Sequence, residues 1–290
     1  MSASSERVPP APAVLRLVQL AVLGRWRATG EDLYREVASL AEIAAGQEVL
    51  VSGCGEGITA EWIATRTGAA VTGVDPDADR IERAETRARA LTTPLPLSYQ
   101  QSPLDDLPHE TSVFDCAIGE PELAATPDAE RAVAELVRVT KPMGAVVLLQ
   151  LTWSSELGDA ARELLVERLG MRPRLLVEWK QMLRDAGVVD VQVQDWTSGG
   201  PGCSPRPSGS QKSVGTNGGG GAAESPLTWQ QKAQIVGRAW RQWGWRAGAL
   251  RAGRGAVERE TALLRELSRE RALGFQLIKG VKWPHAKAAP

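Results

Sequence analysis

Histidine and cysteine are scarce: the 290 residues hold two of the first, His109 and His285, and three of the second, Cys54, Cys116 and Cys203. Two histidines exclude a His-rich metal centre. An odd cysteine count with no CxxC spacing argues against a disulfide framework or a zinc site and fits a reducing compartment. Long apolar runs are also missing. The stretch Val14 to Leu23 is broken by Arg16 and Gln19, well short of the roughly 18 apolar residues a membrane span needs. Arg16 spoils the same stretch as a secretory core, and no small-residue cleavage site follows. The expected location is the cytoplasm.

What is present is an ordinary globular composition, 43% hydrophobic and 24% charged, which excludes a wholly disordered chain. The length suits one large α/β domain, or a medium domain with an appendage. Net charge is −1 but uneven. Residues 226–290 carry 13 Lys/Arg against 4 Asp/Glu. The acidic remainder does not look like a nucleic-acid binder. The basic tail suits an anionic surface or docking onto the acidic body.

Organisation follows from the punctuation. Residues 1–12 are rich in Ser, Pro and Ala, and disorder is expected there. The segment 13–46 reads as helices, over about Val14 to Trp26 and Glu31 to Ala44, the second ended by Gly46. A strand–helix rhythm then fills 47–197. Strands are expected at Glu48–Ser52, Ala70–Val74, Pro96–Tyr99, Val113–Ile118, Ala145–Leu151 and Val189–Val193. Helices are expected at Ile58–Thr67, Asp77–Leu91, Thr126–Val139 (Thr126 as N-cap, Pro127 at the first position), Ser155–Leu169 and Arg174–Ala186. Strands alternating with helices imply a Rossmann-like, doubly wound, mostly parallel sheet. Residues 198–226 hold 9 Gly, 6 Ser and 4 Pro and read as a flexible linker. Residues 227–273 read as basic Trp-rich helices, with Trp229, Trp240, Trp243 and Trp245, the last helix running to Leu273. Residues 274–290 read as a closing strand and tail. Three roles stay open for the Trp-rich segment: core packing, a lid over an acceptor pocket, or peripheral contact with a membrane or another protein.

The stretch that carries chemistry is Val49-Leu-Val-Ser52-Gly53-Cys54-Gly55-Glu56-Gly57, followed by a helix and then Val71-Thr-Gly-Val-Asp75-Pro76. A strand runs into three alternate glycines, and glycines let the backbone turn sharply beside a ligand. The next strand ends in Asp75, whose carboxylate suits both hydroxyls of a ribose. The dinucleotide fingerprint is GxGxxG, with a pyrophosphate on the helix N-terminus. Here the pattern is GxGxG, with Ile58 where the last glycine of that fingerprint would fall. This favours a nucleoside ligand without pyrophosphate, S-adenosylmethionine, over a nicotinamide dinucleotide.

These residues resemble the class I S-adenosylmethionine-dependent methyltransferases, and most of all the small-molecule branch with the ubiquinone/menaquinone C-methyltransferases (methyltransferase type 11). Leu107-Pro108, Phe114-Asp115, Glu135-Leu-Val-Arg-Val-Thr-Lys-Pro-Met-Gly144, Trp179-Lys-Gln-Met-Leu-Arg-Asp-Ala-Gly187 and Gly274-Phe-Gln-Leu-Ile-Lys-Gly-Val-Lys282 extend the likeness. It implies a seven-stranded sheet with an antiparallel last strand, with the linker and Trp-rich helices inserted before that strand. It also implies methyl transfer to a small, apolar or aromatic acceptor by in-line displacement, with a non-catalytic binding or assembly relative as the alternative. The cofactor contacts it implies are Ser52, Gly53, Cys54, Gly55, Glu56, Gly57, Asp75, Pro76, Leu104, Asp105 and Gly119. Glu120 and His109 are the candidates for acid–base work, against a solvated carboxylate and a histidine packed near adenine. The chain departs from the family at Val51, where an acid is usual, and at Pro103, where an adenine-contacting Asp is common. Glu56 and Glu120 are the nearest replacements for the lost charge at Val51. Asp105 or Asp106 would substitute near adenine.

Overall fold

The computed structural model describes residues 31–153, 158–159, 162–163, 166, 171–196 and 273–284. The expected helix at Val14–Trp26, the linker, the Trp-rich helices and most of the Ser155–Leu169 helix lie outside the described residues. The element order is α1 (Glu31–Leu40), β1 (Glu48–Ser52), α2 (Ile58–Thr67), β2 (Ala70–Asp75), α3 (Ala78–Arg89), β3 (Leu97–Gln101) and β4 (Phe114–Gly119). A 3-10 turn (Pro121–Ala125), α4 (Ala129–Val139), β5 (Thr140–Trp153), α5 (Leu176–Asp185), β6 (Val188–Asp195) and β7 (Leu273–Lys282) follow.

The strands form one sheet in the order β3-β2-β1-β4-β5-β7-β6. The first five pair in parallel, and β7 runs antiparallel to both β5 and β6. The central strands are continuous apolar runs: Val49, Leu50 and Val51 of β1 and Val146 to Leu149 of β5 are fully buried. That pattern requires cover on both faces, which flanking helices supply. The edges β3 and β6 are half exposed and alternate. Tyr34 of α1 meets Trp62 of α2 with ring centroids 5.8 Å apart, and Trp179 of α5 is among the largest fully buried side chains. No helix among the described residues is long and apolar enough to cross a membrane.

Several boundaries differ from the sequence expectation. Helix α4 is capped by Asp128, whose carboxylate accepts from Arg131 N at 2.9 Å. Thr126 instead ends the 3-10 turn, its amide donating to Leu123 O. Strand β5 begins at Thr140, five residues before the expected start. A register shift opposite Phe114 and Cys116 and a left-handed Met143 (φ 65°) absorb the extra length. Leu273 opens β7 and does not end a helix.

The sheet order reverses between β1 and β4, the switch point at whose carboxyl ends sheets of this kind form a ligand crevice. The amino ends of β4 and β5 are closed by a clamp. Arg138 pairs with Glu135 at 2.7 Å and donates to the carbonyls of Leu107 (3.0 Å) and His109 (2.8 Å). Lys282 Nζ adds bonds to the carbonyls of Arg138 and Thr140. The Glu135–Lys141 segment thus secures the loop that feeds β4.

Candidate functional site

The glycine turn is where sequence reasoning placed it, at the carboxyl end of β1. Gly53, Gly55 and Gly57 all have positive φ (77°, 53° and 77°), a region costly for other residues. Gly53 N and Cys54 N both donate to Val74 O of β2, at 2.8 and 3.0 Å. The side-chain positions that these glycines leave bare are used by the chain itself. A Cβ on Gly53 would lie 2.8 Å from Glu122 Cβ, and one on Gly57 would lie 2.7 Å from Tyr99 Cζ. Cys54 is buried and fills space against Gly73. Burial, together with the nearby Asp75, Glu120 and Glu122 carboxylates, pushes its thiol well above the ordinary range, which disfavours the nucleophilic thiolate.

Asp75 ends β2 fully buried and turned toward the glycine turn. Its Oδ2 accepts from Gly55 N at 2.9 Å and its Oδ1 from Asp77 N at 3.0 Å. Arg80 Nη1, from the first turn of α3, stands 3.6 Å from Oδ2. Asp77, not Asp75, caps α3, accepting from Asp79 N and Arg80 N. Pro76 is exposed beside it. The loop after β3 returns to the same place. Ser102 N donates to Asp75 O at 3.2 Å, Leu104 is buried, and Asp105 is half-buried.

Beyond β4, Gly119 O and Glu120 O both accept from the buried Gln150 amide of β5, at 3.3 and 2.8 Å. Gly119 has no room for a Cβ, which would run into Leu123 of the following turn. Glu120 N donates to Ser52 O at 2.9 Å, which ties the start of that turn to the end of β1. Glu120 and Glu122 are 3% and 7% exposed. Thr59 of α2 donates to Glu120, and Arg80 Nη1 lies 3.5 Å from Glu122 Oε1. Burial first, and the Glu122 and Asp75 charges next, hold the Glu120 carboxyl well above the usual range. Burial raises Glu122 as well, opposed by Arg80.

Four buried acceptors around this crevice have no hydrogen-bond partner: Ser52 Oγ, Glu120 Oε1, Glu122 Oε2 and Gln150 Oε1. Each such atom costs about 1–3 kcal/mol, and groups of them in one place mark a missing partner. Glu122, Arg80, Gln150 and Tyr99 were not among the residues that the sequence singled out. Gln150 left a usable signal as a lone polar residue inside an apolar strand.

Two candidates are set apart from this cluster. Glu56 is partly exposed and pairs with Arg83 at 3.2 Å, so of the two replacements for the charge missing at Val51, only Glu120 faces the crevice. His109 lies before β4, packed edge-on against Phe114 at 5.1 Å. Phe114 begins β4 and Glu120 follows its end, so the strand's length, roughly 16 Å at about 3.3 Å per residue, separates them. Burial and the Arg138 charge lower the histidine's pKa. The His109 carbonyl belongs to the Arg138 clamp, and the structure does not bring this residue together with Glu120.

A cavity of about 320 Å³ opens at the end of β5, lined by residues that include Trp153, Arg172, Arg174 and Glu178. Arg172 N donates to Ala124 O at 2.9 Å, so its wall is joined to the turn bearing Glu120 and Glu122. Among the described residues, no group of acidic, His or Cys side chains is arranged to hold a metal ion.

Comparison with known proteins places this geometry. Residues 50–148 match the family model described as a methyltransferase domain. Methyltransferase GfsG of Streptomyces halstedii is 28% identical over 46% of this chain and 48% of its own length. O-methyltransferase resE of Aspergillus sclerotiorum is 32% identical over 39% of this chain and 42% of its own. The chain thus spans about half or less of these curated relatives. Among solved structures, phosphoethanolamine N-methyltransferase 2 of Haemonchus contortus in complex with S-adenosyl-L-methionine superposes with a TM-score of 0.64 at 15% identity, covering 93% of this chain and 56% of that one. Residues 50–148 thus carry the match to a methyltransferase domain, and the sheet has the antiparallel seventh strand expected of a class I methyltransferase fold.

Proposed function

We propose that the protein transfers a methyl group from S-adenosylmethionine to a small acceptor. The observation that carries this reading is the set of buried, unpartnered acceptors at the switch point between β1 and β4, beside the glycine turn. S-adenosylmethionine bears a sulfonium and an ammonium, and a crevice lined by Asp75, Glu120 and Glu122 with surplus acceptor capacity fits such a cation. The named homologues are methyltransferases, and one superposing structure holds this cofactor.

In this reading the backbone of Ser52 to Gly57 lies along the cofactor, and Asp75 takes the ribose hydroxyls. Leu104 and Asp105 flank the adenine, and Gly119 and Glu120 face the amino-acid end. The cofactor, when bound, supplies a methyl already activated on sulfur. The chain's own contribution is then to hold the two reactants in line and to exclude water. Glu120 has the position and the raised pKa to accept a proton from an acceptor that must lose one. The cavity at the end of β5 is the acceptor compartment in this account. Its lining is mostly charged, with Arg172, Arg174 and Glu178 beside Trp153, whose ring Arg162 covers at 5.2 Å, so it suits an acceptor with polar groups as well as an aromatic part. The site works in the cytoplasm.

Mass spectrometry of the purified protein for a co-purified adenosyl ligand and a second, acceptor-like compound tests the reading. Transfer of label from methyl-labelled S-adenosylmethionine to that compound is expected. Absence of any adenosyl ligand, together with no labelled product, would leave a binding or assembly role.

A further inference from the structure

The sequence Glu120-Pro121-Glu122 brings two carboxyl groups into the crevice by local geometry. Pro121 opens a 3-10 turn directly after β4, and the Glu120 amide and carbonyl are fixed by Ser52 and Gln150. Both glutamate side chains are more than nine-tenths buried, and each keeps an oxygen without a partner. Ser52 Oγ and Gln150 Oε1, on two further strands, are equally buried and unpartnered. The groups facing the pair are Asp75 from β2, Arg80 from α3, Cys54 from the glycine turn and Thr59 from α2. Arg80 is the one cation among them, and it is divided among Asp75, Asp77 and Glu122. At its carboxyl end β1 contributes no acid, since Val51 is apolar and fully buried. The crevice therefore holds more negative charge and more acceptors than the chain itself satisfies. A positively charged ligand meets that surplus; a neutral or anionic one leaves it.

On the reading that S-adenosylmethionine binds here, we propose that Glu120 and Glu122 form a charge-sensing pair that favours the sulfonium donor over its neutral thioether product. The two molecules differ by one methyl group and one positive charge. A desolvated carboxylate pair responds to that charge and hardly at all to the methyl. The pair carries a proton while the crevice lacks a cation, because burial opposes ionisation. Arrival of the sulfonium favours the ionised form and expels that proton. Loss of the methyl removes the charge, the pair takes up a proton again, and the product is held less tightly.

Isothermal titration with S-adenosylmethionine and with S-adenosylhomocysteine, at about pH 6 and about pH 8, tests the proposal. At the higher pH the donor is expected to bind roughly tenfold to a hundredfold more tightly than the product. The ratio shrinks at the lower pH. Donor binding releases protons, read from paired titrations in buffers of different ionisation heat. Glu120→Gln and Glu122→Gln each bring the ratio toward unity, the donor losing more affinity than the product. Equal affinity of the wild-type protein for both ligands at about pH 8, or no proton release, overturns the proposal while leaving the cofactor site standing. Failure of both ligands to bind overturns the site and the proposal together. The wild-type ratio and proton count decide the matter even if a glutamine variant folds poorly.

Discussion

Glu122 Oε1 lies 3.5 Å from Arg80 Nη1, a contact that joins the turn after β4 to the first turn of α3 across the crevice. The same nitrogen stands 3.6 Å from Asp75 Oδ2, and the Arg80 side chain is only 19% exposed. One guanidinium thus serves two buried carboxylates. Removing it leaves both without their cation.

Arg80→Met is therefore expected to destabilise the protein by roughly 3–5 kcal/mol near neutral pH, an upper range because Arg80 keeps some contact with water. Protonating Glu122 removes part of the need for a partner, so the deficit should shrink toward pH 5. Urea denaturation at the two pH values checks this. A deficit that does not change with pH would detach Arg80 from Glu122.

Stability of the wild-type protein should itself depend on Glu122. Its pKa is raised on folding, to about 7, so the folded state binds the proton more tightly than the unfolded chain. The stabilisation this confers is fully present below the ordinary glutamate range and is lost as pH climbs from about 4.5 through about 7. Glu122→Gln should flatten the fall in thermal midpoint over that window. An unchanged slope would contradict the assignment.

Gly57 and Tyr99 give a test of the turn. Gly57→Ala meets two penalties, a left-handed φ and a clash with the Tyr99 ring, expected to sum to about 2–4 kcal/mol. Adding Tyr99→Ala should relieve the clash but not the backbone strain. A double-mutant cycle then shows a coupling of about 1 kcal/mol or more. Full additivity would mean that the ring does not occupy that space.

His109→Gln should leave cofactor affinity and turnover within about twofold, as for substitutions away from a site. Arg138→Ala should lower the thermal midpoint, because it releases the carbonyls of Leu107 and His109 together with Glu135. A large loss of turnover in the histidine variant, with stability kept, would return His109 to the chemistry.

The strand–helix order was legible because buried parallel strands are short apolar runs set between helical periods, as at Val49–Val51 and Val146–Leu149. Exact ends were not. Thr126 and Asp128 both suit an N-cap around Pro127, and only the preceding 3-10 turn, which uses Thr126, decides between them. The glycine turn and Asp75 were readable since their spacing is local. Glu120 was readable as the residue just past β4. The roles of Arg80, Glu122 and Tyr99 were not, because they arise from contacts between residues 42 positions apart. His109 was a candidate for acid–base work, but a loop placed before a strand opens at the other end of the strands.

Equilibrium dialysis of S-adenosylmethionine against wild-type protein and Asp75→Asn, side by side, addresses the whole account. Saturable retention at one site by the wild type, weakened roughly tenfold or more in the variant, is the predicted result. No retention by the wild type at millimolar ligand, or identical retention by both proteins, would contradict it.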